Sequence, residues 1–220
     1  MEKINIGIKV FDERFVFQKG FFSLFAGINN VGKSVFMKEL FNSALTQGHK
    51  CILIDLKNQI HNTGDNGNNL NIFRDIYNIE DIEKCCENIE GLDIAIINGY
   101  ENIINLEKNV PKSQTSWRLK CLAKKLNVLL IATVKLNGDM LHSKDKPSKI
   151  RLRDYGPLEI DSDQIFFANK ISKCESQEII ELDCYKNRSC IFEKKDNPEL
   201  FFGKENFLLS NGKIEVKESN

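Results

Sequence analysis

An excess of either charge is missing from this sequence: Lys and Arg total 31 and Asp and Glu total 31 over 220 residues, so the net charge is zero. That excludes a uniformly basic coat for gripping nucleic acid and leaves any such contact to a local patch. No apolar run approaches the roughly 18 residues of a membrane-spanning helix. The opening Met1–Asn5 has no secretory signal pattern, so no membrane partner is expected. Seven cysteines (Cys51, Cys85, Cys86, Cys121, Cys174, Cys184 and Cys190) make an odd number without a C-x-x-C, and only three His accompany them, so nothing has metal-ligand spacing. Reduced thiols in a cytoplasmic protein are the expectation. Four Pro leave little room for long rigid linkers. What remains, 41% hydrophobic and 28% charged residues, is the composition of one globular domain. Its length suffices to bury roughly 70% of the unfolded surface.

Along the chain, Phe21–Ala26 is a short aromatic-rich run that reads as a buried strand. It enters Gly27-Ile28-Asn29-Asn30-Val31-Gly32-Lys33-Ser34, after which Val35, Phe36, Leu40, Phe41, Ala44 and Leu45 recur at helical spacing as far as Gly48. Cys51–Leu56, Ile94–Ile97, Val128–Val134 and Ile165–Ala168 read as further buried strands, and residues 57–71 as an Asn- and Gly-rich loop. Ile82, Cys85, Cys86 and Ile89 form one apolar helix face that stops at Gly91, which makes the vicinal cysteines core-side hydrophobes rather than redox groups. Ser116 is placed to cap a helix carrying Leu119, Leu122, Ala123 and Leu126. After about residue 135 the pattern is strands alone: Glu178–Tyr185, Ser189–Phe192 and Phe207–Val216, the last with Asn211-Gly212 as a two-residue hairpin turn. Alternating strand and helix, then strands, predicts an α/β fold: a mainly parallel sheet flanked by helices, with antiparallel strands and a hairpin at the C-terminal end.

Gly27-x-x-x-x-Gly32-Lys33-Ser34 fits the phosphate-loop pattern in full. Each part has a physical use. The glycines let the backbone curl so that several N–H groups point inward around a phosphate. The helix that starts near Lys33 adds the positive end of its dipole. Lys33 reaches the β- and γ-phosphates, and the Ser34 hydroxyl is placed to hold Mg2+. Gly27, Asn30, Val31, Gly32, Lys33, Ser34 and Val35 are therefore the candidate nucleotide-binding residues.

Other segments follow in order. Leu119-Lys-Cys-Leu-Ala-Lys-Lys-Leu-Asn-Val-Leu-Leu-Ile-Ala-Thr-Val-Lys-Leu-Asn137 resembles the helix–strand pair LKxLAKELNVPVIALSQLN of DnaB-type replicative helicases. Arg151-Leu-Arg-Asp-Tyr-Gly-Pro-Leu-Glu-Ile-Asp-Ser-Asp163 is similar to their DLRESGxIEQDAD segment, and Lys186-Asn-Arg188 to their KNR segment. Ile94–Ile97 with Asn98-Gly-Tyr-Glu101 occupies the place of their Walker B strand. The resemblance spans roughly residues 10–203 and implies a RecA-like P-loop domain over 1–203 followed by a C-terminal hairpin or tail over 204–220. It also implies ATP or another NTP as the cofactor, and Lys186 and Arg188 reaching in trans to a neighbouring subunit's γ-phosphate. By the same resemblance a DNA-contacting loop at 144–156 carries Lys146, Arg151, Arg153 and Gly156. Homo-oligomers, or co-assembly with a helicase, follow, with single-stranded DNA as the partner.

Three positions depart from the family pattern. Lys57 stands where the catalytic glutamate orients the attacking water, and a protonated lysine cannot do this. Asn98 stands where an aspartate holds Mg2+ through its water shell, and a neutral amide is a weaker partner for a hard dication. Lys135 replaces the γ-phosphate-sensing glutamine. Together they leave the pocket four units more positive than the family pattern, which predicts firm phosphate holding, weak Mg2+ holding at Ser34, and nucleotide binding that survives chelation. Asp55, two residues before Lys57 and on the same strand face, and Glu101, at the sheet's carboxyl edge, are the carboxylates able to substitute. The substitutions favour a non-hydrolysing ATP-binding relative that serves DNA replication or recombination as an accessory or regulator. The alternative is an active motor, an ATPase stimulated by single-stranded DNA. A small-molecule kinase fits the later segments less well; a degenerate RecA-type fold kept for its surface alone is a further reading.

Overall fold

The computed structural model describes residues 2–60, 71–104, 114–136, 152, 155–173, 177–188, 199–203 and 207–209. The chain opens with β1 (Lys3–Ile4), α1 (Lys9–Arg14) and β2 (Phe17–Gln18), where β1 and β2 form a small antiparallel sheet. The domain's frame follows: β3 (Phe22–Gly27), α2 (Lys33–Thr46), β4 (Cys51–Asp55), β5 (Ile72–Phe73), α3 (Ile79–Glu87), β6 (Ile94–Asn98), a 3-10 turn (Tyr100–Asn102), α4 (Thr115–Leu126) and β7 (Leu129–Lys135). The last described elements are α5 (Leu158–Asp161), β8 (Gln164–Lys173), β9 (Gln177–Asn187), β10 (Glu199–Gly203) and β11 (Phe207–Leu209).

The large sheet runs β11-β10-β9-β8-β3-β7-β6-β4-β5. From β8 to β5 all neighbours are parallel, and β9, β10 and β11 extend it antiparallel. This is the mainly parallel α/β architecture expected from the alternation of elements. Central strands covered on both faces read as continuous apolar runs, which is how β3, β4 and β6 look: every residue is buried. Alternate side chains still serve different cores. Phe25 enters the core that α2 covers with Phe36, Met37, Leu40 and Phe41. Leu24 and Ala26 enter the opposite core, closed by Ile79, Ile82 and Cys86 of α3 and Leu119, Leu122 and Ala123 of α4. Cys86 is buried there, and burial pushes its thiol up to about 12, so the vicinal pair behaves as packing. The first core is aromatic: Phe25 and Phe166 stack at 4.7 Å, and Phe11 lies within about 6 Å of both.

Three local readings change. Ser116 lies inside α4, which starts at Thr115, and its hydroxyl donates to the Asp161 carboxylate instead of capping. A one-turn helix, α5, interrupts the stretch read as strands alone. The N-terminal β1, α1 and β2 carry too few residues for a periodic signal. The Ser189–Phe192 strand and the Asn211-Gly212 turn lie outside the described residues. Among the described residues no helix is long and apolar enough to cross a membrane.

Candidate functional site

Because β3, β4, β6 and β7 are parallel, their carboxyl ends meet at one edge, where ligands bind in sheets of this kind. Gly27 ends β3, Asp55 ends β4, Asn98 ends β6 and Lys135 ends β7. Glu101 stands in the 3-10 turn just beyond β6. The residues that sequence reasoning assigned to the phosphate loop, to the three substituted positions and to the substitute carboxylates are thus brought to one edge.

The loop after β3 needs special backbone. Asn30 and Gly32 have φ of 58° and 85°. At Gly27 the requirement is space: a Cβ would lie 2.9 Å from the Ala168 carbonyl oxygen and 2.9 Å from Val31 Cγ1. No side chain caps the start of α2, so its first N–H groups remain available to an anion. Val31 is buried beneath the loop, while Val35 is 55% exposed on the cleft side. Lys33 folds back and donates to the carbonyls of Gly27 (2.8 Å) and Ile28 (2.6 Å). Burial first, then the positive charge of Lys57, lowers its pKa from 10.5 to about 7; Glu101 opposes the shift and Lys135 adds to it.

Beneath the loop lies a polar chain. Asp55 is fully buried and takes N–H bonds from Ile60 (2.7 Å) and Lys57 (3.3 Å). Its register partner across β4 and β6 is Asn98, whose Nδ2 donates to Asp55 Oδ1 at 2.7 Å. That bond turns Asn98 Oδ1 toward hydroxyls: Thr133 Oγ1 at 3.0 Å and Ser34 Oγ at 3.1 Å. Ser34 Oγ also lies 3.0 Å from Gln59 Oε1, so two acceptors face its one proton. Above this floor, Lys57 Nζ pairs with Glu101 Oε1 at 2.9 Å, both side chains largely buried, and the Lys135 N–H donates to Glu101 Oε2 at 3.0 Å. The resulting cleft, of about 450 Å3, is lined by Asn29, Asn30, Gly32, Lys33, Ser34, Val35, Lys57, Gln59 and Glu101. It can receive an anion among backbone N–H groups and ammonium groups. Asp55 faces N–H donors rather than the cleft, and Glu101 is tied to Lys57, so neither carboxylate is idle.

Sequence reasoning missed Gln59, Thr133 and Gly99. The first two stand two residues from an assigned position, Gln59 after Lys57 and Thr133 before Lys135, so same-face spacing along an extended chain was the available signal. Gly99, at φ 109°, makes room for the Lys57 stem: a Cβ there would sit 2.9 Å from Lys57 Cγ.

Lys186 and Arg188 lie elsewhere. β9 runs antiparallel to β8 and pairs Asn187 with Gln164, which places them at the amino edge of the sheet, opposite the loop. Lys186 Nζ donates to the Glu159 carbonyl (2.6 Å), and Arg188 pairs with Asp163 (3.1 Å), which also binds Lys120. Gly156, with φ 72°, follows Tyr155, whose hydroxyl donates to the Lys135 carbonyl at 2.5 Å. Lys146, Arg151 and Arg153 lie outside the described residues.

The sequence model of the family described as DnaB-like helicase C terminal domain matches residues 68–205, more than half of the chain. The chain belongs to this family. The match takes in Asn98, Glu101, Lys135, Lys186 and Arg188 and begins after the phosphate loop. A replicative DNA helicase DnaB from Mycoplasma pneumoniae is 31% identical over 107 residues, covering 44% of this chain and 23% of the relative, so the match spans under a quarter of that protein's length. Among solved structures, an ATPase domain superposes with a TM-score of 0.74 at 20% identity, over 94% of this chain and 91% of that one. A DnaB-like replicative helicase, studied with its interactions with primase, superposes with a TM-score of 0.75 at 20% identity, over 93% of this chain and 63% of that one. The fold is the RecA-like ATPase fold of these helicase domains.

Proposed function

We propose that this domain binds ATP, or another NTP, in the cleft at the Gly27–Ser34 loop and hydrolyses it poorly or not at all, serving DNA replication or recombination as an accessory or regulatory relative of the replicative helicases. The carrying observation is the state of the cleft's carboxylates. The positions expected to activate water, hold the metal and sense the γ-phosphate carry Lys57, Asn98 and Lys135. Asp55 spends its oxygens on Asn98 and backbone N–H groups, and Glu101 is bound to Lys57. Loss of a general base costs about 10²–10⁴ in rate. Gly27, Asn30, Val31, Gly32, Lys33, Ser34 and Val35 form the nucleotide cradle in this reading. Lys186 and Arg188, at the far edge, serve a neighbouring copy or a co-assembled helicase. The 144–156 loop, with Lys146, Arg151, Arg153 and Gly156, meets single-stranded DNA.

One observation favours the alternative, a DNA-stimulated motor: Glu101 lines the cleft and would orient water once Lys57 let it go. Phosphate release from ATP, with and without single-stranded DNA, decides between them against Lys33→Ala as the blank. The proposal expects release at or barely above the blank level, unchanged by single-stranded DNA. DNA-stimulated release that Glu101→Gln abolishes would establish the motor instead.

A further inference from the structure

The family implies Mg2+ beside the nucleotide, and the residues of this cleft do not fit it. A hard dication seeks carboxylate oxygens and water held by carboxylates. Among the described residues no three His, Cys, Asp or Glu side chains are grouped to hold a metal ion. Ser34 Oγ faces the amide of Asn98, not a carboxylate. Asp55 lies under that amide, fully buried and bonded to three N–H donors. The remaining carboxylate, Glu101, already faces the Lys57 ammonium. A dication would enter beside the like charge of Lys57.

The same residues build a different device. Lys57 stands two residues past the end of β4, and its stem passes over Gly99, where a side chain would collide with it. The stem brings Nζ into the cleft that the Gly27–Ser34 loop rims, with Glu101 as its counter-ion. Glu101 has a second anchor, the Lys135 N–H, so it stays in place if Lys57 departs. Lysine on a flexible stem is a compact point charge suited to phosphate oxygens.

Resting on the nucleotide-binding reading above, we infer that Lys57 supplies the charge a divalent cation supplies in related domains: it exchanges Glu101 for the oxygens of an incoming polyphosphate, and binding needs no Mg2+. Lys33 makes the matching exchange, leaving the carbonyls of Gly27 and Ile28. The ligand class is a polyphosphate whose binding is indifferent to Mg2+, ATP or inorganic tripolyphosphate alike.

The test is a calorimetric titration of the full chain with ATP and with tripolyphosphate, each in excess EDTA and in excess Mg2+. The wild type should bind both ligands with dissociation constants that agree within about threefold between the two conditions; weakening beyond about tenfold in EDTA would overturn the inference. Lys57→Glu should weaken binding in EDTA by at least about tenfold and recover with Mg2+, whereas wild-type affinity for this variant in EDTA would assign the charge to another group. Lys57→Met keeps the stem over Gly99 and guards against misfolding; it should bind about tenfold more weakly in both conditions, and undiminished binding would again overturn the assignment. Binding that appears only with Mg2+ sinks the inference and leaves the nucleotide reading standing. Absence of binding to either ligand in either condition sinks both.

Discussion

Ligand binding at the loop should take up a proton, and the amount follows from the surroundings of Lys33. The side chain is 8% exposed, and burial together with the Lys57 and Lys135 charges holds it near 7, against a smaller opposing pull from Glu101. The displacement from 10.5 amounts to about 5 kcal/mol withheld from the ammonium form in the empty cleft, as an order of magnitude. A polyphosphate beside Nζ returns that energy, so the bound lysine is protonated across the neutral range. At pH 8 the free protein then holds about 0.1 proton on Lys33 and the complex about 1, an uptake of about 0.9 per ligand. At pH 6 the uptake falls to about 0.1, because the free lysine is already charged. Phosphate groups titrate near pH 6, so at pH 8 the ligand adds little of its own. Titration calorimetry at pH 8 in buffers of different ionisation enthalpy reads the number directly. In the same window affinity should fall up to about tenfold for each pH unit above 7. Lys33→Arg, charged throughout, should bind without uptake. Tight wild-type binding at pH 8 with uptake below about 0.3 would refute the account.

Three further outcomes follow from the packing. Phe166→Ala removes a ring stacked on Phe25 at 4.7 Å in the fully buried aromatic core and should cost about 3–5 kcal/mol in urea unfolding. Gly99→Ala combines strain at φ 109° with a 2.9 Å approach to Lys57 Cγ; it should destabilise the fold by roughly 1–3 kcal/mol by thermal melting and weaken phosphate binding together with it. Lys120→Met breaks a buried ion pair and leaves Asp163 with Arg188 and the Phe22 N–H; a loss near the low end of the roughly 3–5 kcal/mol range is expected in denaturant titration.

The phosphate loop and the carboxyl edge were legible because both are local: a spaced glycine pair, and strands whose ends alternate with helices. Lys57, Asn98, Lys135, Asp55 and Glu101 meet where the strand ends predict. What they do to one another was not legible, because it depends on register. Nothing in the sequence says that Asp55 opposes Asn98, so the amide's donation to a buried carboxylate could not be read. Nor does it say that Lys57 crosses Gly99 to reach Glu101. Ser116 failed as a cap for a related reason: its carboxylate partner, Asp161, is forty-five residues on, brought back by a one-turn helix too short to show a period.

The sheet also separates two groups of cations. The six residues of β3 span roughly 20 Å between the edge that carries Lys33 and the edge that carries Lys186 and Arg188. One copy therefore cannot bring both groups to the same phosphate. Any property that needs both must vanish on dilution and rise steeper than linearly with protein concentration. It should also show complementation, in which a copy disabled at the loop and a copy disabled at the basic pair are each inert alone and together rebuild one intact junction.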